Sequence, residues 1–168
     1  MFDLERLKQA IDEGVYMGEG IARKTIAISD KIVAKIPKYK NCMQQAKEIE
    51  FYKNFEDSFP SLLPKMYGVI ELYDNRPIIF MERAKPLRKP VKEYLHKFYL
   101  REGREDEYYE WCEEIDYFEH YTNIGDSSSN ADNWGMREDG TFVCLDCGMS
   151  RDDYYSDDKY YDYYSCWD

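Results

Sequence analysis

The segment from Asn133 to Gly148, which reads NWGMREDGTFVCLDCG, constrains the fold of this chain more than any other stretch. An Asp139-Gly140 pair between two short apolar runs is a strong signal for a β-hairpin. Folding at that pair brings Asn133, at the start of the segment, close to Asp146 near its end. Amide and carboxylate oxygens that converge in this way are the ligands that Mg²⁺ uses when it is held against phosphates. The segment therefore predicts a hairpin whose open end carries a magnesium and phosphate site.

Composition narrows the class of protein. The 168 residues suffice for one domain or two small lobes with a real core. An aromatic content of 17% argues against disorder, and a net charge of −11 argues against nucleic acid as a partner. No apolar run reaches the roughly 18 residues of a membrane span, so no membrane partner is expected. Five cysteines without a framework spacing favour the reducing cytoplasm, and Cys144 of the C-x-x-C at 144–147 is interpreted as a strand residue facing the core.

Hydrophobic periodicity predicts an α+β chain whose two halves differ in character. The first half alternates helix and strand, with turns at Ser29-Asp30 and Asp74-Asn75, whereas the second half is mostly helical before the hairpin. The predicted elements are a helix over 2–13, strands over 15–20, 25–29 and 31–36, a helix over 41–56, strands over 65–73 and 77–81, and helices over 90–101 and 104–121. The second predicted helix, over 41–56, has apolar surface that includes Met43, Ala46 and Phe51.

Gly18 and Gly20 lie at the end of the first predicted strand, before the second begins. Glycines there let backbone N–H groups approach a phosphate, although turn glycines are the simpler interpretation. Arg23 and Lys24 follow and are candidates for the same anion.

Lys35 lies in the third predicted strand between apolar neighbours, so it is either an outward solvated side chain or an inward functional one. Glu48, on the following helix, is the candidate partner that would direct the Lys35 ammonium toward phosphates. Glu50 points about 200° away from Glu48 around the helix, so only one of the two glutamates can make this pair.

A series of short motifs in this order resembles a protein-kinase-like fold, and its wording near the hairpin is similar to small kinase-like proteins of bacteria and bacteriophages. The motifs are Gly18-x-Gly20, Val33-Ala34-Lys35, Glu48, the strand 78–84, Asn133 and Asp146-Cys147-Gly148. The resemblance implies a two-lobed α+β fold. An antiparallel five-stranded N-lobe with one main helix would span 1–83, and a truncated, mostly helical C-lobe with a β-hairpin would span 84–150. Residues 151–168 would form an acidic, tyrosine-rich tail.

The resemblance also implies roles for these residues, with ATP and Mg²⁺ as cofactors. Gly18 and Gly20 would cover the phosphates, and Lys35, held by Glu48, would bind them. The hinge residues Glu82 and Ala84 would bind adenine, whereas Asn133 and Asp146 would hold Mg²⁺.

The catalytic base is the position where the chain departs from the family. Kinases place this Asp five residues before the Asn, and that position is Ser128 here. A two-residue insertion would let Asp126 orient the acceptor, and we favour Asp126 over Asp132. A strict alignment instead removes the base and makes the chain a pseudokinase.

Two functions follow from the resemblance, and a third does not depend on it. The first is a minimal phosphotransferase that uses ATP and Mg²⁺ on an unknown acceptor. The second is a catalytically inactive kinase-like module, encoded by a phage, that binds a host protein through its acidic aromatic surface. Both place the chain in the cytoplasm of a bacterium or of a phage-infected host cell. The third is an acidic DNA mimic on an unrelated α+β fold.

Overall fold

The computed structural model describes residues 4–20, 22–72, 76–124 and 127–148. Its helices and strands are α1 (Leu4–Asp12), β1 (Val15–Glu19), β2 (Arg23–Ala27), β3 (Ile32–Pro37), α2 (Met43–Phe55), β4 (Met66–Leu72), β5 (Arg76–Glu82), β6 (Lys85–Pro86), α3 (Val91–Phe98), α4 (Glu105–Thr122), β7 (Trp134–Met136) and β8 (Phe142–Cys144). Three short 3₁₀ segments cover Leu100–Glu102, Ser127–Ser129 and Ala131–Asn133. The predicted order of elements is confirmed, with boundaries that move by a few residues.

In the described residues, β1 to β5 form one antiparallel sheet in the order β1-β2-β3-β5-β4. The predicted α+β class and five-stranded antiparallel sheet with one helix after its third strand are therefore confirmed. The turn between β2 and β3 forms at Ser29, whose hydroxyl oxygen accepts the N–H groups of Lys31 and Ile32 at 3.2 and 3.1 Å. The turn predicted at Asp74-Asn75 lies outside the described residues.

Both faces of the sheet are covered, and this decides where the side chains of β3 point. Ala34 faces a small cluster against which Leu7 and Ile11 of α1 pack. Val33 faces the larger core, which continues through α2 into the second half of the chain. Because side chains alternate along a strand, Lys35 points to the same side as Val33, toward α2.

The second half of the chain contains a second sheet, in which β6, β7 and β8 pair in that order. The predicted hairpin is present as β7 and β8, and its turn closes where the Arg137 N–H donates to the Thr141 carbonyl at 2.9 Å. Gly140 has φ +92° in this turn, a conformation that glycine adopts without strain. Cys144 is buried in β8, as its pattern predicted. None of the helices in the described ranges has the length and apolar character needed to cross a membrane.

Trp134 anchors the start of the hairpin in the larger core, where it is fully buried. Its ring packs edge-on against Phe118 of α4, with 6.2 Å between ring centroids, and its indole N–H donates to the Ser127 hydroxyl at 3.2 Å. The packing therefore fixes the loop before the hairpin against α4.

We expect Trp134→Ala to lower the free energy of unfolding by about 3–5 kcal/mol, because it leaves a large cavity in the main core. Urea denaturation followed by circular dichroism measures this loss. Tyr109→Ala, which removes an exposed aromatic side chain from α4, is the control and should change the value by less than about 0.5 kcal/mol. A loss below about 1 kcal/mol in Trp134→Ala would contradict this packing.

Candidate functional site

A cleft of about 440 Å³ lies between the five-stranded sheet and the open end of the hairpin. It brings together most of the residues that the sequence analysis selected. Those that line it are Gly18, Gly20, Lys35, Glu82, Ala84, Asn133 and Asp146. Glu48 lies behind Lys35, fully buried. Asp126, the favoured catalytic base, lies outside the described residues, so its role stays a prediction.

Lys35 and Glu48 form a buried ion pair at the back of the cleft. The Lys35 ammonium donates to Glu48 Oε1 at 2.6 Å and also to the Leu145 carbonyl. Lys35 is 7% exposed and Glu48 is 0% exposed, whereas Glu50 is exposed on the other side of α2. The inward orientation of Lys35 and the choice of Glu48 over Glu50 both agree with the structure.

Arg23 makes the second buried contact to Glu48. Its Nη1 donates to Glu48 Oε2, and its Nη2 donates to Asp146 Oδ1 at 2.7 Å. Burial alone would lower the pKa of the Arg23 guanidinium, but the charges of Glu48 and Asp146 raise it above its usual value. Two cations and two carboxylates therefore form one continuous network from β2 to the end of the hairpin.

The strand register explains why Arg23, and not its neighbour Lys24, lies on the same face of the sheet as Lys35. Thr25 pairs across the strands with Lys35, and Arg23 lies two residues before Thr25. Arg23 and Lys35 therefore share one face of the sheet, while Lys24 is exposed.

The buried face of α2 is more polar than its sequence predicts. Gln45 is fully buried, and its amide donates to the Lys35 carbonyl at 3.0 Å and to the Pro77 carbonyl at 2.9 Å. Met43, by contrast, is 45% exposed, and Ala46 is also exposed. The prediction that these two residues belong to the apolar face of α2 is therefore wrong, because the partners of Gln45 and Glu48 select a different face.

Asp146 projects from the end of the hairpin with 34% of its side chain exposed. Its Oδ1 also accepts the Gly148 N–H at 3.1 Å, and its Oδ2 lies 3.2 Å from the Gln44 amide. Burial acts to raise the pKa of Asp146, but Arg23 and Lys35 outweigh it and lower that pKa to about 2. The carboxylate is therefore ionised throughout the neutral range.

Two glycines shape the walls of the cleft. Gly18 has φ +152° where the register between β1 and β2 shifts, a conformation that L-residues rarely adopt. A Cβ on Gly148 would lie 2.6 Å from Gln44 Cγ and 2.8 Å from the Gln44 carbonyl oxygen. Glycine at position 148 therefore lets the Asp146 loop approach the first turn of α2.

The N–H of Gly20 donates to the Arg23 carbonyl at 2.9 Å, so it closes the turn between β1 and β2.

At the predicted hinge, side-chain and backbone groups have different roles. The Glu82 carboxylate accepts two hydrogen bonds from Arg137, at 3.0 and 3.1 Å, and one from the Lys65 N–H at 3.1 Å. Within the described ranges, the backbone N–H of Ala84 has no hydrogen-bond partner. The backbone N–H of Ala84 is thus a polar group at the hinge that can bind a ligand.

In the loop before the hairpin, Ser128, at the expected position of the catalytic base, and Asp132, the alternative acid, have different environments. Ser128 is buried, and its hydroxyl lies 3.1 Å from the Glu119 carboxylate of α4. Asp132 is exposed and lines the cleft. The Leu145 N–H donates to the Asn133 carbonyl at 2.6 Å, which draws the two ends of the hairpin together as predicted. Ser128 therefore serves to attach the loop to α4, while Asp132 is the acidic side chain of residues 127–133 that faces the cleft.

The charged oxygen ligand predicted for Mg²⁺ is already paired within the protein. Asp146, which would supply the charged ligand, is already held by Arg23. No group of three or more His, Cys, Asp or Glu side chains able to hold a metal occurs among residues 4–20, 22–72, 76–124 and 127–148. Magnesium at Asn133 and Asp146 stays a prediction.

Comparison with known proteins gives partial structural matches only. No protein-family model matches the chain, and no curated protein matches it. The chain is similar in part to a solved GDP complex of wild-type aminoglycoside 2′-phosphotransferase-IIIa, at TM-score 0.37 and 12% identity over 52% of this chain and 32% of that one. For the GDP complex of a point mutant of the same enzyme, the values are TM-score 0.36 and 17% identity, over 46% and 26% of the two chains. The matches cover about a third or less of those structures, and they assign neither a family nor an activity.

We expect Glu48→Gln to lower the free energy of unfolding by about 3 kcal/mol or more, because it leaves two buried cations without their shared carboxylate. Glu50→Gln makes the same chemical change on the exposed side of α2 and should cost less than about 0.5 kcal/mol. Equilibrium urea denaturation at neutral pH compares the two variants. Equal small losses would show that the buried network does not stabilise the fold.

The lowered pKa of Asp146 predicts how stability depends on pH. The folded-state value of about 2 lies below the ordinary 3.8, so the ionised carboxylate stabilises the fold above about pH 4. That contribution is lost as the pH falls from about 4 toward 2. We expect the wild type to be more stable than Asp146→Asn near neutral pH, and the difference in unfolding free energy to shrink across that window.

Chemical denaturation at a series of pH values measures this difference. Glu138→Gln, which alters an exposed carboxylate on the same hairpin, should leave the profile of the wild type unchanged. A gap between wild type and Asp146→Asn that stays constant down to about pH 2 would refute the assignment.

Proposed function

We propose that the cleft binds ATP and that the chain is a small protein-kinase-like phosphotransferase. The observation that carries this proposal is the buried Lys35–Glu48 pair at the back of the cleft. Desolvating two charges is costly, and a lysine held by a helix carboxylate is the device by which kinases bind phosphates. Lys35 lines the same cleft as Gly18 and Gly20, the residues that would cover the phosphates.

The cleft has the size and wall chemistry for a nucleotide. Its volume of about 440 Å³ lies within the usual range of small-molecule sites. Val33 and Met81 supply apolar wall, and the Ala84 backbone lies beside them with an N–H that can donate to an adenine nitrogen. Phosphates at the other end of the cleft would lie against Lys35 and Arg23. The acceptor would then approach past Asp132, or past Asp126 where the predicted insertion places it.

Two observations favour a second candidate, a nucleotide-binding module that transfers no phosphate. Ser128, at the position of the family's base, is buried against α4, and Arg23 holds the Asp146 carboxylate. Such a module would bind a host protein. Tyr109, Tyr117 and Tyr121 are exposed on the acidic helix α4 and would supply the acidic aromatic surface for it. The predicted tail over 151–168 lies outside the described residues.

We expect ATP to bind the wild-type protein and Lys35→Met to weaken that binding about tenfold or more. A hydrogen bond to a charged group contributes about 1.5–3 kcal/mol, and each 1.4 kcal/mol corresponds to tenfold in Kd. Isothermal titration calorimetry measures both constants. Lys31→Met, which removes an exposed lysine from the turn before β3, is the matched control and should bind as the wild type does.

Transfer of the ATP γ-phosphate, or its hydrolysis, separates the two candidates. Turnover in the wild type that is lost in Asp146→Ala supports the phosphotransferase. ATP binding with the same background turnover in both proteins supports the non-catalytic module. Equal ATP affinity in the wild type and Lys35→Met would contradict both, because neither then uses the buried lysine.

A further inference from the structure

Arg23 occupies the place beside Asp146 where a bound cation would be expected. Its Nη2 lies 2.7 Å from Asp146 Oδ1, and its guanidinium lines the cleft although little of the side chain is exposed. Glu48 divides its two oxygens between the cations, with Oε1 on Lys35 and Oε2 on Arg23. The carboxylate of Asp146 is therefore neutralised by the protein itself.

Counting charges shows what Arg23 changes at this end of the cleft. With Arg23, the network contains two cations and two carboxylates and has no net charge. Without Arg23, the Lys35 ammonium would face both carboxylates, and these three groups would carry one net negative charge. A triphosphate is repelled by a negative site and tolerated by a neutral one. A metal ion brought to Asp146 would in turn lie close to two protein cations.

Arg23 also has N–H donors that its hydrogen bonds to Glu48, Gln45 and Asp146 do not use. A guanidinium has five N–H donors, and the described side chains of Glu48, Gln45 and Asp146 engage three of them. Two donors therefore remain on a group that lines the cleft. Arginine binds phosphate oxygens well because its planar fork matches their geometry.

We propose that Arg23 is a built-in counter-ion of the phosphate site, through which the cleft holds a nucleoside triphosphate without Mg²⁺. This inference rests on the nucleotide binding proposed above. It extends the anion contact predicted for Arg23 after Gly18 and Gly20 to the role of a fixed counter-ion, and it makes metal independence a property of this cleft.

The test measures the Kd of ATP by calorimetry, once in EDTA and once in excess Mg²⁺. For the wild type we expect the two constants to agree within about threefold. Arg23→Gln should lose about tenfold or more in EDTA and regain most of that affinity in Mg²⁺, because the metal then supplies the missing charge. Lys24→Gln removes the exposed cation next to it in β2 and should match the wild type under both conditions. Thermal melts confirm that each variant is folded.

Asp146→Asn provides a second variant whose expected change has the opposite sign. It removes the carboxylate that Arg23 neutralises, so ATP binding in EDTA should stay equal or become tighter. If Asp146 instead serves mainly to bind metal, the wild type binds ATP more tightly in Mg²⁺ than in EDTA and Asp146→Asn abolishes that gain, which overturns the inference. Wild-type binding that requires Mg²⁺ overturns it as well, and leaves the proposed function standing. No ATP binding in either condition overturns both.

Discussion

The buried carboxylate of Glu48 is the group on which the rest of the site depends. It has no exposed surface, and each of its oxygens is paired with a cation from a different strand. A buried carboxylate is tolerated only when its charge and lone pairs are satisfied. The position of α2 is therefore tied to the faces of β2 and β3 that carry Arg23 and Lys35. Through Asp146 and the Leu145 carbonyl, the same two cations reach the end of the hairpin.

This arrangement explains why α2 buries Gln45 and Glu48 beside Phe51 and Tyr52, while Met43 is exposed. Gln45 and Glu48 lie three positions apart and share one face of the helix, and both form hydrogen bonds with Lys35 on the sheet. Turning Met43 inward would add apolar burial, but it would leave buried cations without a carboxylate. The charge network therefore outweighs the modest gain from one methionine.

Turn chemistry and periodicity predicted the elements of this chain well. Alternating runs located the strands, and Asp139-Gly140 located the hairpin that joins Asn133 to Asp146. Which face of β3 would carry a functional lysine did not follow from alternation. Every β3 residue from Val33 to Pro37 is buried, because α1 and the larger core cover opposite faces. A strand buried on both sides has no solvent side from which orientation can be inferred.

The order of the short motifs, through its resemblance to the kinase-like family, was enough to select Lys35, Glu48, Asn133 and Asp146 as candidates for the site. Their relative geometry required the folded chain. Arg23 and Asp146 are 123 positions apart, and only the closure of the sheet against the hairpin places a guanidinium on that carboxylate. The same packing buries Ser128 against Glu119 and leaves Asp132 on the cleft. Local sequence thus sets which elements form and which groups are available, whereas long-range packing and charge pairing decide which of those groups meet.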